Sequence, residues 1–128
     1  MNRHVTIGLA MIASAALGAA AVEGLHAQGK PKAYTVNEVE VINPAAQDAY
    51  TPLIVAAVKA AGGRNFNTAG GRIVAFTGEA PKRIAINEWD SMEQAQAFRN
   101  SAAWKNLAPQ RERAQKEIRA FPVESTSN

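Results

Sequence analysis

Residues 33–42, AYTVNEVEVI, constrain the fold more than any other stretch of the chain. Thr, Val and Ile dominate them, and apolar side chains fall on both alternating faces, the pattern of a strand covered on both sides. Asn43-Pro44 follows at once. Asn suits a helix N-cap and Pro suits the first helical position, so a helix opens here. Ala49, Tyr50, Leu53, Ala57 and Val58 recur at helical spacing until Gly62-Gly63 signals its end. Pro52 lies inside that helix and removes a hydrogen bond, so a kink or break is expected near Tyr50-Thr51.

Residues 64–77 (RNFNTAGGRIVAFT) read as two short strands around a turn at Ala69-Gly70-Gly71, and residues 78–81 as a loop. The glycine pair is too short for a phosphate-cradling loop. Residues 83–89 (RIAINEW) read as a further strand. Asp90-Ser91 ahead of Glu93-Gln94 forms a capping-box pattern in either of two registers. The helix after it sets Met92, Ala95, Phe98 and Ala102 on one side. Ser101 caps a second helical piece holding Trp104 and Leu107, Pro109 restarts it, and residues 112–117 read as solvated helix surface. Residues 118–123 form a last strand, ahead of a frayed tail at 125–128.

Strand, helix, hairpin, strand, helices, strand is the split βαβ order of an α+β, ferredoxin-like sandwich, with an antiparallel-rich sheet and helices on one face. The other face needs a cover, and the same face of a second copy supplies one, so a homodimer is expected. The domain spans residues 33–124, after a short linker at 28–32.

Residues 1–27 fall outside that domain. Arg3 and His4 give a positive start, residues 5–22 carry no charge, and Glu23 precedes small residues ending at Ala27. That is the layout of a secretory signal peptide, which directs the chain to the periplasm or out of the cell. The alternative is an uncleaved membrane anchor, since the run reaches the ~18 residues at which a spanning helix becomes possible. Its Ala and Gly content disfavours that alternative, and any membrane attachment is confined to this segment. Removing it leaves the net charge of +3 unchanged, because it holds one basic and one acidic residue. Lys105, Arg111, Arg113, Lys116 and Arg119 cluster near the C-terminus but are interrupted by Glu112 and Glu117, without aromatic interleaving. A nucleic-acid partner is not expected.

Cysteine is absent, and both histidines, His4 and His26, lie in the segment to be removed. The mature domain then has no Ser-His or Cys-His nucleophile pair, no ordinary zinc site and no His or Cys ligand for haem. Neither a metal nor a cofactor is expected.

Gly62-Gly63-Arg64, the run Arg83-Ile84-Ala85-Ile86-Asn87-Glu88-Trp89, and Ser91-Met92-Glu93 with Ala95, Ala97 and Phe98 form a familiar series. With Asn100-Ser101, Trp104 and Arg111 it resembles the family of the domain of unknown function 1330, over residues 33–124. The resemblance implies the dimeric α+β barrel fold and no particular activity. Asn87 stands where that family usually has an aliphatic residue, and Trp89 and Trp104 stand for the more usual Phe and Tyr.

Two constellations can carry chemistry. Glu38 and Glu40 share a face of the first strand, and Glu88 shares a face with Ile84 and Ile86 on its expected neighbour. If the faces coincide, Glu38 and Glu88 approach, and close like charges raise one carboxyl pKa into the range of a proton-transfer catalyst. The structural alternative pairs each Glu with Arg64, Arg72 or Arg83. The second constellation is Asn37 with Trp89, Trp104 and Arg64. Barrels similar to this one include cofactor-free monooxygenases of antibiotic biosynthesis, which hold an electron-rich substrate with polar and aromatic groups, so Asn37 and Trp89 are candidates for that chemistry. Tryptophans that simply fill the core are the alternative. Tyr50 beside the helix kink, and Arg83, complete the candidate ligand-binding residues. The sequence thus supports an exported homodimer binding a small aromatic or acidic molecule between sheet and helices, or a cofactor-independent enzyme.

Overall fold

The computed structural model describes residues 29–126, so the expected signal peptide at 1–27 lies outside the described residues. Strand β1 (Ala33–Val41) occupies the centre of a four-stranded antiparallel sheet, between β3 (Ile84–Trp89) and β4 (Gln115–Glu124). The two-residue β2 (Arg64–Asn65) pairs with the outer edge of β3, giving the order β2-β3-β1-β4. β1 and β2 therefore run parallel with β3 between them, the split βαβ arrangement of the ferredoxin-like fold.

Helix α1 (Pro44–Ala60) starts as its sequence dictates: Asn43 Oδ1 accepts from Ala46 N at 3.0 Å, with Pro in the first turn. It ends in a Schellman motif. Gly62, at φ 89°, donates to Lys59 O, and Gly63 N donates to Val58 O at 2.9 Å. The expected break at Pro52 does not occur, and the helix runs 17 residues uninterrupted. Pro52 and Asp48, whose carbonyl loses its donor, both lie on the exposed side, where the carbonyl is open to solvent. Ser91 caps α2 (Met92–Arg99) by accepting from Gln94 N at 3.2 Å, which selects the Ser91–Gln94 register over Asp90–Glu93. Ser101 caps α3 (Ala102–Asn106), and Pro109 lies in the first turn of α4 (Ala108–Ala114).

Two further expectations fail. Residues 66–83 contain no strand, so the hairpin does not form. Asn65 Oδ1 accepts from Asn67 N at 2.8 Å, Asn67 turns into the left-handed region at φ 57°, and the chain swings away after two paired residues. Thr68 Oγ1 then donates to Ile84 O at 2.7 Å, occupying the edge acceptor that a longer strand would have used. Residues 72–78 consequently make no hydrogen bond or ion pair among the described residues. The second failure is the helical reading of residues 115–117, which belong to β4 and pair with Val41, Glu40 and Val39 of β1.

Helices α1–α4 cover one face of the sheet. Ala33, Val58, Trp89, Ala95 and Phe98 form the core, with Ile54, Ala57, Met92 and Trp104 packed against it. Trp89 stacks on Phe98 at 5.1 Å and Phe98 meets Trp104 edge-on at 6.0 Å. The opposite face carries Tyr34, Val36, Ile84 and Ile86, with Phe121 and Val123 in register with Val36 and Tyr34.

Candidate functional site

Between the helix layer and the sheet lies a cavity of about 180 Å³. Its floor is the helix-facing side of the sheet, where period-two alternation presents Thr35 and Asn37 from β1, Asn87 from β3 and Asn65 from β2. Its roof is α1, with Gln47, Tyr50, Ile54 and Val55, and one end is closed by Phe98 and Trp104. The loop before β3 contributes Asn67, Ala69 and Arg83.

The polar floor is wired internally. Asn65 Nδ2 donates to Asn87 Oδ1 at 2.8 Å, and Asn87 Nδ2 reaches Thr35 Oγ1 at 3.4 Å. Trp89 Nε1 donates to the same hydroxyl at 3.1 Å, tying the floor to the core. Asn37 Nδ2 donates to Ala85 O at 3.3 Å. These bonds explain how Asn87 is tolerated where an aliphatic residue is expected: its amide is partnered on both sides.

The aromatic end is charged. Trp104 lies between two guanidinium groups, Arg99 at 4.1 Å and Arg111 at 3.6 Å from the ring centroid. Arg111 Nη1 also donates to Trp104 O at 3.1 Å, and Arg99 is ion-paired with Glu117. Tyr50 is 2 % exposed. Burial pushes its phenol pKa above the ordinary value, and Arg111 partly opposes that shift. Arg83 differs from Arg99, the other arginine lining the cavity: its guanidinium lies against Gly70 and has no hydrogen-bond or ion-pair partner among the described residues. No group of three or more His, Cys, Asp or Glu side chains converges among the described residues.

The candidates from sequence separate clearly. Asn37, Tyr50, Arg83 and Trp104 all line the cavity. Trp89 is sealed in the core at 1 % exposure, and Arg64 lies on the outer sheet edge, its guanidinium 5.6 Å from the Phe66 ring. Glu38 and Glu88 share a sheet face, but it is the face away from the helices. They pair across the ladder with Ile84 and Tyr34, four positions apart along β1, which is about 13 Å at ~3.3 Å per residue. The structure does not bring them together. Glu38 pairs with Arg119 and Glu88 with Lys32, rather than with Arg64, Arg72 or Arg83. The reading from sequence left out Thr35, Gln47 and Asn65, and named Asn87 only as an anomaly. Polar residues at positions 35 and 37, on a strand face otherwise made of Ala33, Val39 and Val41 and in phase with Asn87, were the available signal.

Fold and cavity together define the class: a ferredoxin-like α+β domain with a cavity, sized for one small molecule, between helices and sheet. Within that class, the chain belongs to the family of the domain of unknown function DUF1330, which it matches over residues 32–125. Among solved structures it is similar to a protein of unknown function from Rhodopseudomonas palustris. The two are 14 % identical, with a TM-score of 0.55 over 77 % of this chain and 85 % of that one, a likeness that shows the fold. A protein from Chloroflexus aurantiacus J-10-fl, provisionally named an antibiotic biosynthesis monooxygenase, is also similar. It is 15 % identical, with a TM-score of 0.46 over 76 % of this chain and 95 % of that one. No curated protein matches the chain.

Proposed function

We propose that the chain is an exported, homodimeric domain that binds a small aromatic or acidic molecule in the cavity between sheet and helices. The observation that carries this reading is the cavity wall itself. It combines apolar and aromatic surface from Ile54, Val55, Phe98 and Trp104 with Arg83, a cation that no anion of the described residues neutralises. Such a mixture of an apolar enclosure and a few directed polar groups is what small-molecule sites are made of.

The homodimer is supported by the apolar sheet face away from the helices, where Phe121 and Val123 are each about half exposed. Residues 72–78 add Val74 and a fully exposed Phe76. Apolar surface of this extent on a small domain favours a partner. Export rests on the charge and hydropathy layout of residues 1–27.

Native mass spectrometry of the protein from its exported location tests all three parts. A cleaved dimer carrying extra mass is expected; a bare monomer overturns the dimer, and a chain retaining residues 1–27 overturns cleavage.

A cofactor-independent oxygenase is the second reading, favoured by the position of Asn37 on the cavity floor. Trp89 takes no part in it, being sealed beneath the floor, and a proton-transfer role for Glu88 has no support from a site on the opposite face. Aerobic and anaerobic incubation with a polyphenol, followed by mass analysis, tests it: absence of oxygen incorporation counts against the oxygenase.

A further inference from the structure

One acceptor on the cavity wall is buried without a donor. Gln47, in the first turns of α1, is 5 % exposed, lines the cavity, and its Oε1 has no hydrogen-bond partner. The amide is held by its neighbour. Thr51 Oγ1 donates to the Gln47 carbonyl at 2.9 Å and accepts from Gln47 Nε2 at 3.0 Å. In this arrangement Oε1 is the atom left on the unpaired side.

A buried acceptor left without a donor is costly, and Met or Leu would fill the same space without that cost. Retaining Gln47 makes physical sense if a donor arrives with the ligand. Arg83, on the same cavity wall, has the complementary lack: a cation without an anion. Ile54, Val55 and Phe98 add apolar surface above the polar floor, and the volume of about 180 Å³ suits a single ring with small substituents, since ~150 Å³ accommodates benzene.

We propose that the ligand is a hydroxylated aromatic acid whose hydroxyl donates to Gln47 Oε1 and whose carboxylate is held by Arg83. This rests on the cavity being a ligand site and specifies what that site selects. The acid supplies the charge that Arg83 lacks, the ring fills the space between Ile54, Val55 and Phe98, and the hydroxyl proton satisfies the orphan acceptor.

Calorimetric titration of the full chain with benzoate and with ortho-, meta- and para-hydroxybenzoate tests the assignment. At least one hydroxybenzoate isomer is expected to bind about tenfold more tightly than benzoate, the size of effect one hydrogen bond to an otherwise unpaired buried group produces. The matching methoxybenzoate, which keeps the oxygen but has no proton to give, loses that advantage. In Gln47→Met the preference for hydroxybenzoate over benzoate disappears, and Arg83→Gln weakens all the acids alike. Equal affinity of wild-type protein for benzoate and every hydroxybenzoate overturns the inference and leaves the cavity as a site for other acids. A preference that survives Gln47→Met does the same. If none of these acids binds the wild-type chain, the aromatic-acid site itself falls.

Discussion

Replacing Gly63 with alanine adds one methyl group against two fully buried side chains of the core. An ideal Cβ at that position sits 2.8 Å from both Cη2 and Cζ3 of Trp89 and 2.8 Å from Val58 Cγ1. Carbon pairs prefer about 3.5–4.0 Å, so three contacts are too short by ~0.7 Å or more. None can be relieved by swinging a flexible surface side chain, since Trp89 and Val58 are the largest fully buried side chains of the core. Gly62, its neighbour, adopts a left-handed φ, whereas Gly63 does not, so the cost at 63 is steric. Overpacking of this kind costs about 1–3 kcal/mol. Against it stands the ~0.4–1 kcal/mol that Gly→Ala contributes by restricting the unfolded chain. The net expectation is a loss of about 1–2 kcal/mol, or a melting temperature lowered by roughly 5–15 °C for a domain of this size. Thermal unfolding followed by tryptophan fluorescence reads it directly. Trp89→Phe removes the two ring atoms concerned, so the Gly63→Ala penalty should shrink by at least ~0.5 kcal/mol in that background. An unchanged or higher melting temperature for Gly63→Ala refutes the packing described here, as does an equal penalty in both backgrounds.

Gln47→Met removes a buried unpaired acceptor worth about 1–3 kcal/mol at the loss of one hydrogen bond worth about 0.5–1.5 kcal/mol, so the ligand-free protein should melt at a higher temperature. A lower melting temperature for the variant contradicts the orphan acceptor. The Tyr50 phenol has its pKa raised from 10.0 by burial, so the folded state holds that proton more tightly than the unfolded state. Stability from this group is then present below the unfolded value and lost as pH rises past it, and wild type should lose stability relative to Tyr50→Phe only in that alkaline range. Parallel stability curves for the two proteins through that range would count against a buried phenol. If the chain is a dimer as proposed, Val36→Glu, on the sheet face away from the helices, should make it sediment as a monomer without altering helix content. A dimer that persists in Val36→Glu places the interface elsewhere.

Much of the fold was legible because local chemistry and tertiary structure agree. Asn43 and Ser91 cap where their side chains suit capping, Gly62-Gly63 end α1, and the β-branched run at 33–41 becomes the central strand. The failures have the same physical character. Residues 73–76, IVAF, have strong strand propensity, but propensity forms a strand only where an edge is available, and the Thr68 hydroxyl occupies the nearest acceptor on β3. Residues 115–117 carry good helix formers, yet pairing with β1 outweighs that preference. For the site, alternation shows which residues share a face but neither which face the helices cover nor how far along it two residues stand. Glu38 and Glu88 were grouped on shared parity alone; register separates them. Asn37, Tyr50, Arg83 and Trp104 were recovered because polar or aromatic groups beside a helix–sheet seam tend to border its cavity. Gln47 was invisible, since only the three-dimensional packing shows that its amide oxygen is buried without a partner.

Residues 72–78 have a practical consequence for handling the molecule. A seven-residue span without backbone partners, with Arg72 at one end and an exposed Phe76 within it, is a ready substrate for trypsin and chymotrypsin. Its amide protons should exchange with solvent within moments, far ahead of those in β1. Both readouts change if a second copy lies over the span. Limited proteolysis across a dilution series would thus convert cutting at this loop into an assembly curve, with resistance rising as protomers associate.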